Sequence, residues 1–137
     1  MKLFDAGPQD RSTSLGLLAL RIAAGGMMLK HGIPKLVDFA AKKDVFPDPL
    51  GIGSAASLAS AVGAEVGCSV LLILGLRTRL AALPLAFTMG VAAFVVHGAN
   101  PWAKKELALL YGAVYITVFF TGAGRFSLDG RRRVSPG

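Results

Sequence analysis

The strongest constraint on the fold is a set of four apolar runs, each about 20 residues long. They cover about residues 14–36, 54–76, 80–98 and 106–124. A hydrocarbon core of about 30 Å is crossed by roughly 20 helical residues, because each residue adds about 1.5 Å. Lipid offers no partners to backbone groups, and the runs lack the alternation of barrel strands. The sequence therefore predicts an all-α integral membrane protein, a bundle of four transmembrane helices.

Composition agrees with a single membrane domain over residues 1–137, with polar tails at 1–13 and 125–137. Only 17% of the residues are charged, against roughly a quarter in soluble chains. The net charge of +7 is explained better by anionic lipid headgroups beside an arginine-rich tail than by nucleic acid, so no nucleic-acid partner is predicted. Cys68 is the one cysteine, which excludes an internal disulfide framework.

Basic residues give the expected orientation. With four spans both chain ends lie on one side, and that side also carries the short turn between the second and third spans. Lys and Arg residues there slightly outnumber those of the other two connections. The positive-inside rule then predicts N-in and C-in topology for a multi-pass protein of the cytoplasmic membrane.

Two charges fall deep within the runs. Arg21 lies in the first run, and Glu65 is the only charge of the second. Ionisable side chains within spans are costly and face the bundle interior. Counting about 1.5 Å per residue places the two at depths that an arginine side chain bridges, which predicts a buried ion pair between Arg21 and Glu65.

Five further polar groups are expected at one depth, near the outer mouth of the bundle. Helical spacing places His31 and Lys35 in the sector of the first run that also holds Arg21. His97 ends the third run at the same depth, and the fourth begins there. The predicted ligand-binding cluster comprises His31, Lys35, His97, Glu106 and Tyr111.

Imidazole and ammonium donors beside a carboxylate and a phenol suit hydrogen bonding and proton exchange with the two carbonyls of a quinone. A transition metal is the alternative, but the HxxxH and HExxH spacings are absent, so no metal site is predicted. Taken singly, each histidine is more typical of an interfacial hydrogen-bonding residue.

Gly63 and Gly67 form a GxxxG pattern in the second run, with Ala59 one turn away. Small residues at this spacing allow two helices to approach closely. The pattern predicts a packing face, and a homo-oligomer through Gly63 and Gly67 is one use for it.

Taken together, these residues resemble the DoxX family of small membrane proteins. The likeness rests on Arg21, Gly25, His31, Gly32 and Lys35, then Ala64, Glu65 and Gly67, then Leu74 to Leu80, then His97, Gly98, Glu106, Leu107 and Leu109, and finally Gly122 to Asp129. It extends from about residue 15 to 130. Pro34 departs from the pattern, at a position where a polar or small residue is expected.

The resemblance implies a four-helix protein of a bacterial or archaeal cytoplasmic membrane. The family takes its name from the DoxD subunit of thiosulfate:quinone oxidoreductase, and some members are linked to membrane oxidoreductase complexes. The family's polar pattern falls here on Arg21, His31, Lys35, Glu65, His97 and Glu106.

Three functions follow as hypotheses. The first is a subunit of a redox-linked complex with other membrane or redox subunits, binding a quinone or a small sulfur substrate in the outer-leaflet cluster. The chain has no flavin, nicotinamide or haem motif, so it would act beside an oxidoreductase without a resident cofactor of its own. The second is an assembly or anchoring subunit without chemistry. The third, a transporter or proton path along Arg21, Glu65 and Tyr111, ranks lower because four short helices leave little room for a gated pore.

Overall fold

The computed structural model describes residues 9–134, with side chains as far as residue 132. Within that range the chain forms helices and turns and no strand, which confirms the all-α prediction. The helices are α1 (Arg11–Val37), α2 (Phe39–Lys42), α3 (Ser54–Leu74), α4 (Thr78–Val96), α5 (Trp102–Thr121) and α6 (Leu128–Val134). Residues 1–8 and 135–137 of the two predicted polar tails lie outside the described residues.

Three of the described helices, α1, α3 and α4, are long and apolar enough to cross a membrane. Helix α5 has 20 residues but carries Lys104, Lys105 and Glu106 in its first turns, and this charge keeps it out of that group. Exposed aliphatic and aromatic side chains cover the outside of the bundle, including Phe87 at 62% and Leu110 at 63% exposure. Such a surface suits lipid rather than water.

The core lies between α1, the second half of α3, α4 and α5. Its members are Ala24, Met28, Leu72, Ala82, Leu85, Met89, Tyr111, Tyr115 and Val118. Helices α4 and α5 share the most extensive contact, whereas α1 packs chiefly on α3. Gly32 allows the approach of α1 to α3, because a Cβ on it would lie 2.8 Å from the Cβ of Glu65.

Two of the long helices contain π-helical stretches, Gly63–Cys68 in α3 and Ala92–Val96 in α4. A π turn adds a residue to the turn and leaves backbone carbonyls with altered partners, which costs stability. Such stretches are common at functional sites. In this protein Glu65 lies in the first stretch, and His97 directly follows the second.

The two ends of the bundle differ in construction. At the tail end α3 finishes in a left-handed Gly75 with φ 68°, and Asp129 caps the start of α4 by accepting from the backbone N–H groups of Arg77 and Thr78, each at 2.9 Å. At the loop end, residues 43–53 join α2 to α3. We call residues 43–53 the connecting loop.

Candidate functional site

A cavity of about 320 Å³ lies at the loop end of the bundle, between α3, α4 and the connecting loop. This volume falls within the range of small-molecule sites, about 300–1,000 Å³. Its polar lining comes from Lys35, Ser57, Ser60, Glu65, Thr88 and His97. Its apolar lining comes from Phe46, Pro47, Pro49, Leu50, Ile52, Ala61, Phe87, Met89, Val91, Ala92 and Val96. The cavity is therefore mostly apolar, with a few polar groups on its wall.

The floor of the cavity holds an ion pair between Lys35 and Glu65. The Nζ atom of Lys35 donates to both carboxylate oxygens, at 2.8 and 2.7 Å. The Glu65 side chain is 4% exposed and that of Lys35 is 28% exposed. A buried carboxylate requires such a partner, because unpaired burial of a charge costs several kcal/mol. The pair leaves the floor without net charge.

The Lys35 side chain reaches down from one turn above Glu65. Gly32 on α1 lies level with Glu65, and helical side chains lean toward the N-terminus of their helix. This lean carries the Lys35 ammonium group back to the carboxylate. The same ammonium group lies 5.9 Å from the centroid of the Phe46 ring, a cation–π contact with the connecting loop.

Asp48 holds the connecting loop over the cavity. Its carboxylate accepts from the backbone N–H groups of Ile52 and Gly53, each at 2.9 Å, and from the Ser57 hydroxyl at 2.8 Å. These bonds, the one from Ser57 above all, hold the pKa of Asp48 below its ordinary range. Ser54 adds a bond from its hydroxyl to the Phe46 carbonyl at 2.8 Å.

His97 supplies a donor on the cavity wall. Its Nδ1 atom lies 2.9 Å from the Asn100 amide nitrogen, which only donates. With that amide orientation, assigned from the hydrogen bonds, Nδ1 accepts, and the neutral ring carries its proton on Nε2. His97 therefore has an N–H that Asn100 does not use.

The structure divides the predicted five-residue cluster. Lys35 and His97 line the cavity together with Glu65, but His31, Glu106 and Tyr111 do not. His31 is exposed and meets Tyr111 edge-on, with ring centroids 6.1 Å apart. Glu106 is exposed in α5. The prediction compared depths only, and groups at one depth point in different directions around a bundle, so the cavity takes Lys35 and His97 alone from the predicted five.

The predicted ion pair between Arg21 and Glu65 is also corrected. Arg21 is fully buried, and its guanidinium donates to the carbonyls of Leu72 and Ile73 at 3.1 and 3.0 Å and to that of Phe126. Because Gly32 is level with Glu65, Arg21 lies eleven residues lower on α1, about 16 Å along the axis. That offset is too long for an arginine side chain, and Lys35 takes the place of Arg21.

Sequence reasoning missed the contribution of the connecting loop. One wall of the cavity is formed by Phe46, Pro47, Pro49, Leu50 and Ile52, none of which the sequence analysis singled out. A signal was present in the sequence Phe46-Pro-Asp-Pro-Leu50. Two prolines stiffen such a segment, and an aspartate between them is typical of a turn bonded to its own backbone.

Comparison with known proteins decides the family. The DoxX family model matches residues 16–98. The chain belongs to the DoxX family. A Haemophilus influenzae protein is 37% identical over 122 residues, covering 84% of this chain and 89% of the relative. An uncharacterized membrane protein of Mycobacterium tuberculosis is 30% identical, covering 84% of this chain and 80% of the relative. No solved structure matches the chain.

In this DoxX protein the matched region contains most of α1 and all of α3, α4 and the connecting loop. All the cavity residues, from Lys35 to His97, therefore lie inside the family region. Glu106, Tyr111 and the rest of α5 lie beyond it.

Proposed function

We propose that this DoxX protein is a subunit of a redox-linked complex in the cytoplasmic membrane, and that it binds the ring of a quinone in the cavity. The observation that carries the proposal is an apolar cavity whose polar groups carry no net charge. Lys35 is neutralised by Glu65, and His97 offers an imidazole N–H. A quinone ring is flat, neutral and apolar, with a carbonyl acceptor at each end.

The ion pair also favours a quinone over a small sulfur anion. An anion such as thiosulfate would have to pull the Lys35 ammonium away from a carboxylate bound at 2.8 and 2.7 Å. It would then lie beside the Glu65 carboxylate, which is 4% exposed, and water could not screen the repulsion between the two negative charges. A neutral ligand takes the remaining N–H of Lys35 without breaking the pair.

Each cavity residue then has a separate task. Lys35 and His97 donate to the two carbonyl oxygens, and Glu65 holds Lys35 in place. Reduction of a quinone to a quinol takes up two electrons and two protons. The Lys35 ammonium group gives one proton and regains it from water, and His97 gives its Nε2 proton as Nδ1 takes up another from water in place of the Asn100 bond. The electrons come from a partner subunit or from its substrate, because the sequence carries no cofactor motif.

The proposal includes four spans with both chain ends inside. Helix α5, with 20 residues, is about 30 Å long, and Lys104 and Lys105 at its start suit the headgroup level. The cavity is then at the outer leaflet. In a Cys68→Ser background, an impermeant thiol reagent should label Asp44→Cys in intact cells and Arg131→Cys only after lysis. The reverse pattern would invert the topology.

Binding to purified protein tests the function. His97→Ala should weaken the affinity for a tail-less benzoquinone by about tenfold, the size of one lost hydrogen bond in a dry site. His31→Ala, a matched change outside the cavity, should leave the affinity within about twofold. Equal effects of the two substitutions, or no binding by the unsubstituted protein, would overturn the proposal.

A second function, assembly without chemistry, is favoured by one observation. Gly63 and Gly67 are exposed, and a Cβ added to either would meet nothing within 4 Å. Among residues 9–134 nothing covers this face of α3, which can therefore receive a second copy or another subunit. Gly63→Leu with Gly67→Leu should lower the oligomeric state in detergent while leaving quinone affinity unchanged. An unaltered oligomeric state would remove this alternative.

A further inference from the structure

The cavity wall extends to side chains in the middle of two membrane helices. On α3 it includes Ser60 and Ala61, and on α4 it includes Phe87. Ser60 is exposed, and Phe87 is 62% exposed. Ser60 and Ala61 lie six and seven residues from the loop end of α3, and Phe87 lies nine residues from that of α4. These separations correspond to about 9–14 Å along the helix axes. The cavity therefore has an opening on the lipid-facing side.

This opening exists because α3 and α4 diverge. The two helices are joined by a tight turn at Gly75, and their contacts come from the 63–74 half of α3. Toward the loop end the first half of α3 leaves α4, and the connecting loop fills the space near the surface. Below the connecting loop the walls of the gap between the two helices include Ser60 and Ala61 on α3 and Phe87 on α4.

On the aqueous side the cavity is bounded by the connecting loop. The connecting loop is held by Asp48, whose carboxylate bonds to two backbone N–H groups and to Ser57. Lys35 lies over the Phe46 ring from inside. A ligand arriving from water would pass this loop and the charged pair beneath it, whereas one arriving from the bilayer passes only apolar and small side chains.

Building on the proposed function, we propose that the gap between α3 and α4 is a lateral entrance from the bilayer. The same gap holds the hydrocarbon tail of the ligand whose ring occupies the cavity. The substrate class is then a lipid-soluble, tailed quinone rather than a water-soluble one. Moving the tail from lipid into the gap gains no desolvation energy, because lipid is as apolar as the gap. Van der Waals packing against Phe87 and Ala61 fixes the position of the tail.

Filling the gap tests this inference. Ala61→Phe places a ring in the gap, and Ala59→Phe places the same ring on an exposed position of α3 that does not line the cavity. Affinities of each variant are measured for a tail-less benzoquinone and for the same ring with an isoprenoid tail. Ala61→Phe should weaken tailed binding by tenfold or more and tail-less binding by less than about twofold. Ala59→Phe should change neither.

A second pair of variants covers the case in which Ala61→Phe fails to fold. Phe87→Ala should lower the affinity for the tailed quinone by about threefold more than that for the tail-less ligand, because the tail loses several van der Waals contacts. Phe94→Ala is the control, since Phe94 is 70% exposed on the same helix and does not line the cavity.

The outcomes separate the two proposals. If the tail-less quinone binds but Phe87→Ala behaves as Phe94→Ala does, and Ala61→Phe as Ala59→Phe does, the lateral entrance is wrong and the cavity stands. If neither quinone binds to the unsubstituted protein, the proposed function fails and the entrance fails with it.

Discussion

Lys35 and Glu65 are 30 residues apart in the chain, and the ammonium group of the first donates to both carboxylate oxygens of the second. The two sides of this pair are buried unequally, at 28% and 4% side-chain exposure. Loss of the cation therefore costs more than loss of the anion. Without Lys35, the Glu65 carboxylate stays buried and unsolvated. Without Glu65, the Lys35 side chain can extend its ammonium group to the surface, where water solvates it.

Lys35→Met should accordingly lower the free energy of unfolding by about 3 kcal/mol, and Glu65→Gln by about 1 kcal/mol. The double variant should recover part of the loss, because no charge is then left unpaired. Chemical denaturation in detergent micelles measures the three changes. Additive losses in the double variant would show that the pair does not couple the two residues.

Arg21 joins three parts of the chain at the tail end. It binds the carbonyls of Leu72 and Ile73, which end α3, and that of Phe126 before α6. A cation at a helix C-terminus also interacts favourably with the negative end of the helix dipole. Arg21→Lys retains the charge but loses the fixed fork of donors, and we expect it to cost about 2–4 kcal/mol of unfolding free energy.

Arg11→Lys is the matched control, because Arg11 is exposed in the first turn of the same helix. Limited proteolysis gives a second readout for Arg21→Lys. Cleavage near Phe126 should become faster than in the control, since the C-terminal segment has lost its anchor. Identical digestion patterns would count against the anchoring role.

Asp48 predicts a dependence of stability on pH. Its pKa is lowered in the folded protein, chiefly by the Ser57 hydroxyl. A carboxyl group with a lowered folded pKa contributes stability that is present above its unfolded pKa and lost as the pH falls through the folded value. The contribution is therefore complete at neutral pH and declines below about pH 4.

Asp48→Asn should melt at a lower temperature than the unsubstituted protein at pH 7, and the difference should shrink as the pH approaches about 3. Asp44→Asn is the control, because Asp44 is exposed in the same loop. If the difference in melting temperature between Asp48→Asn and the unsubstituted protein stayed constant down to about pH 3, the stabilising role of the Asp48 carboxylate would be contradicted.

Two glycines of α1 predict opposite results. A Cβ on Gly32 would lie 2.8 Å from Glu65 Cβ and 2.8 Å from Val66 Cγ2, so Gly32→Ala must push α1 away from α3. We expect it to cost about 1–3 kcal/mol. Gly26 has nothing within 4 Å, and Gly26→Ala should stabilise by about 0.5–1 kcal/mol through helix propensity. Thermal unfolding of the two variants checks the signs, and equal signs would refute the packing argument.

Much of the fold is predictable from local features. The helical class follows from the apolar runs, and the position of each long helix follows from where those runs end. Asp10 accepts from Thr13 N at 2.9 Å and caps α1, as an aspartate before an apolar run does. Three polar residues of the cavity lining, Lys35, Glu65 and His97, were singled out from the sequence because they are polar groups in apolar surroundings.

Their partners were harder to predict. The pairing of Arg21 with carbonyls depends on how far α1 is shifted along α3, and Gly32 sets that shift through a contact across helices. Similarly, the separation of His31 from His97 depends on the rotation of each helix about its axis. A shift of a few ångströms or a rotation of some tens of degrees changes every partner without altering the hydrophobic pattern.

By itself, the amino-acid sequence determined that the chain forms long apolar helices with a few charged residues. The free-energy cost of exposing backbone groups and charges to lipid applies to each segment separately, so it can be read from each segment alone. Only the tertiary structure decided that Lys35 binds Glu65, that Arg21 holds the C-terminal segment, and that the connecting loop closes a cavity. These outcomes depend on packing between distant segments, where the size of single side chains such as Gly32 sets which groups meet.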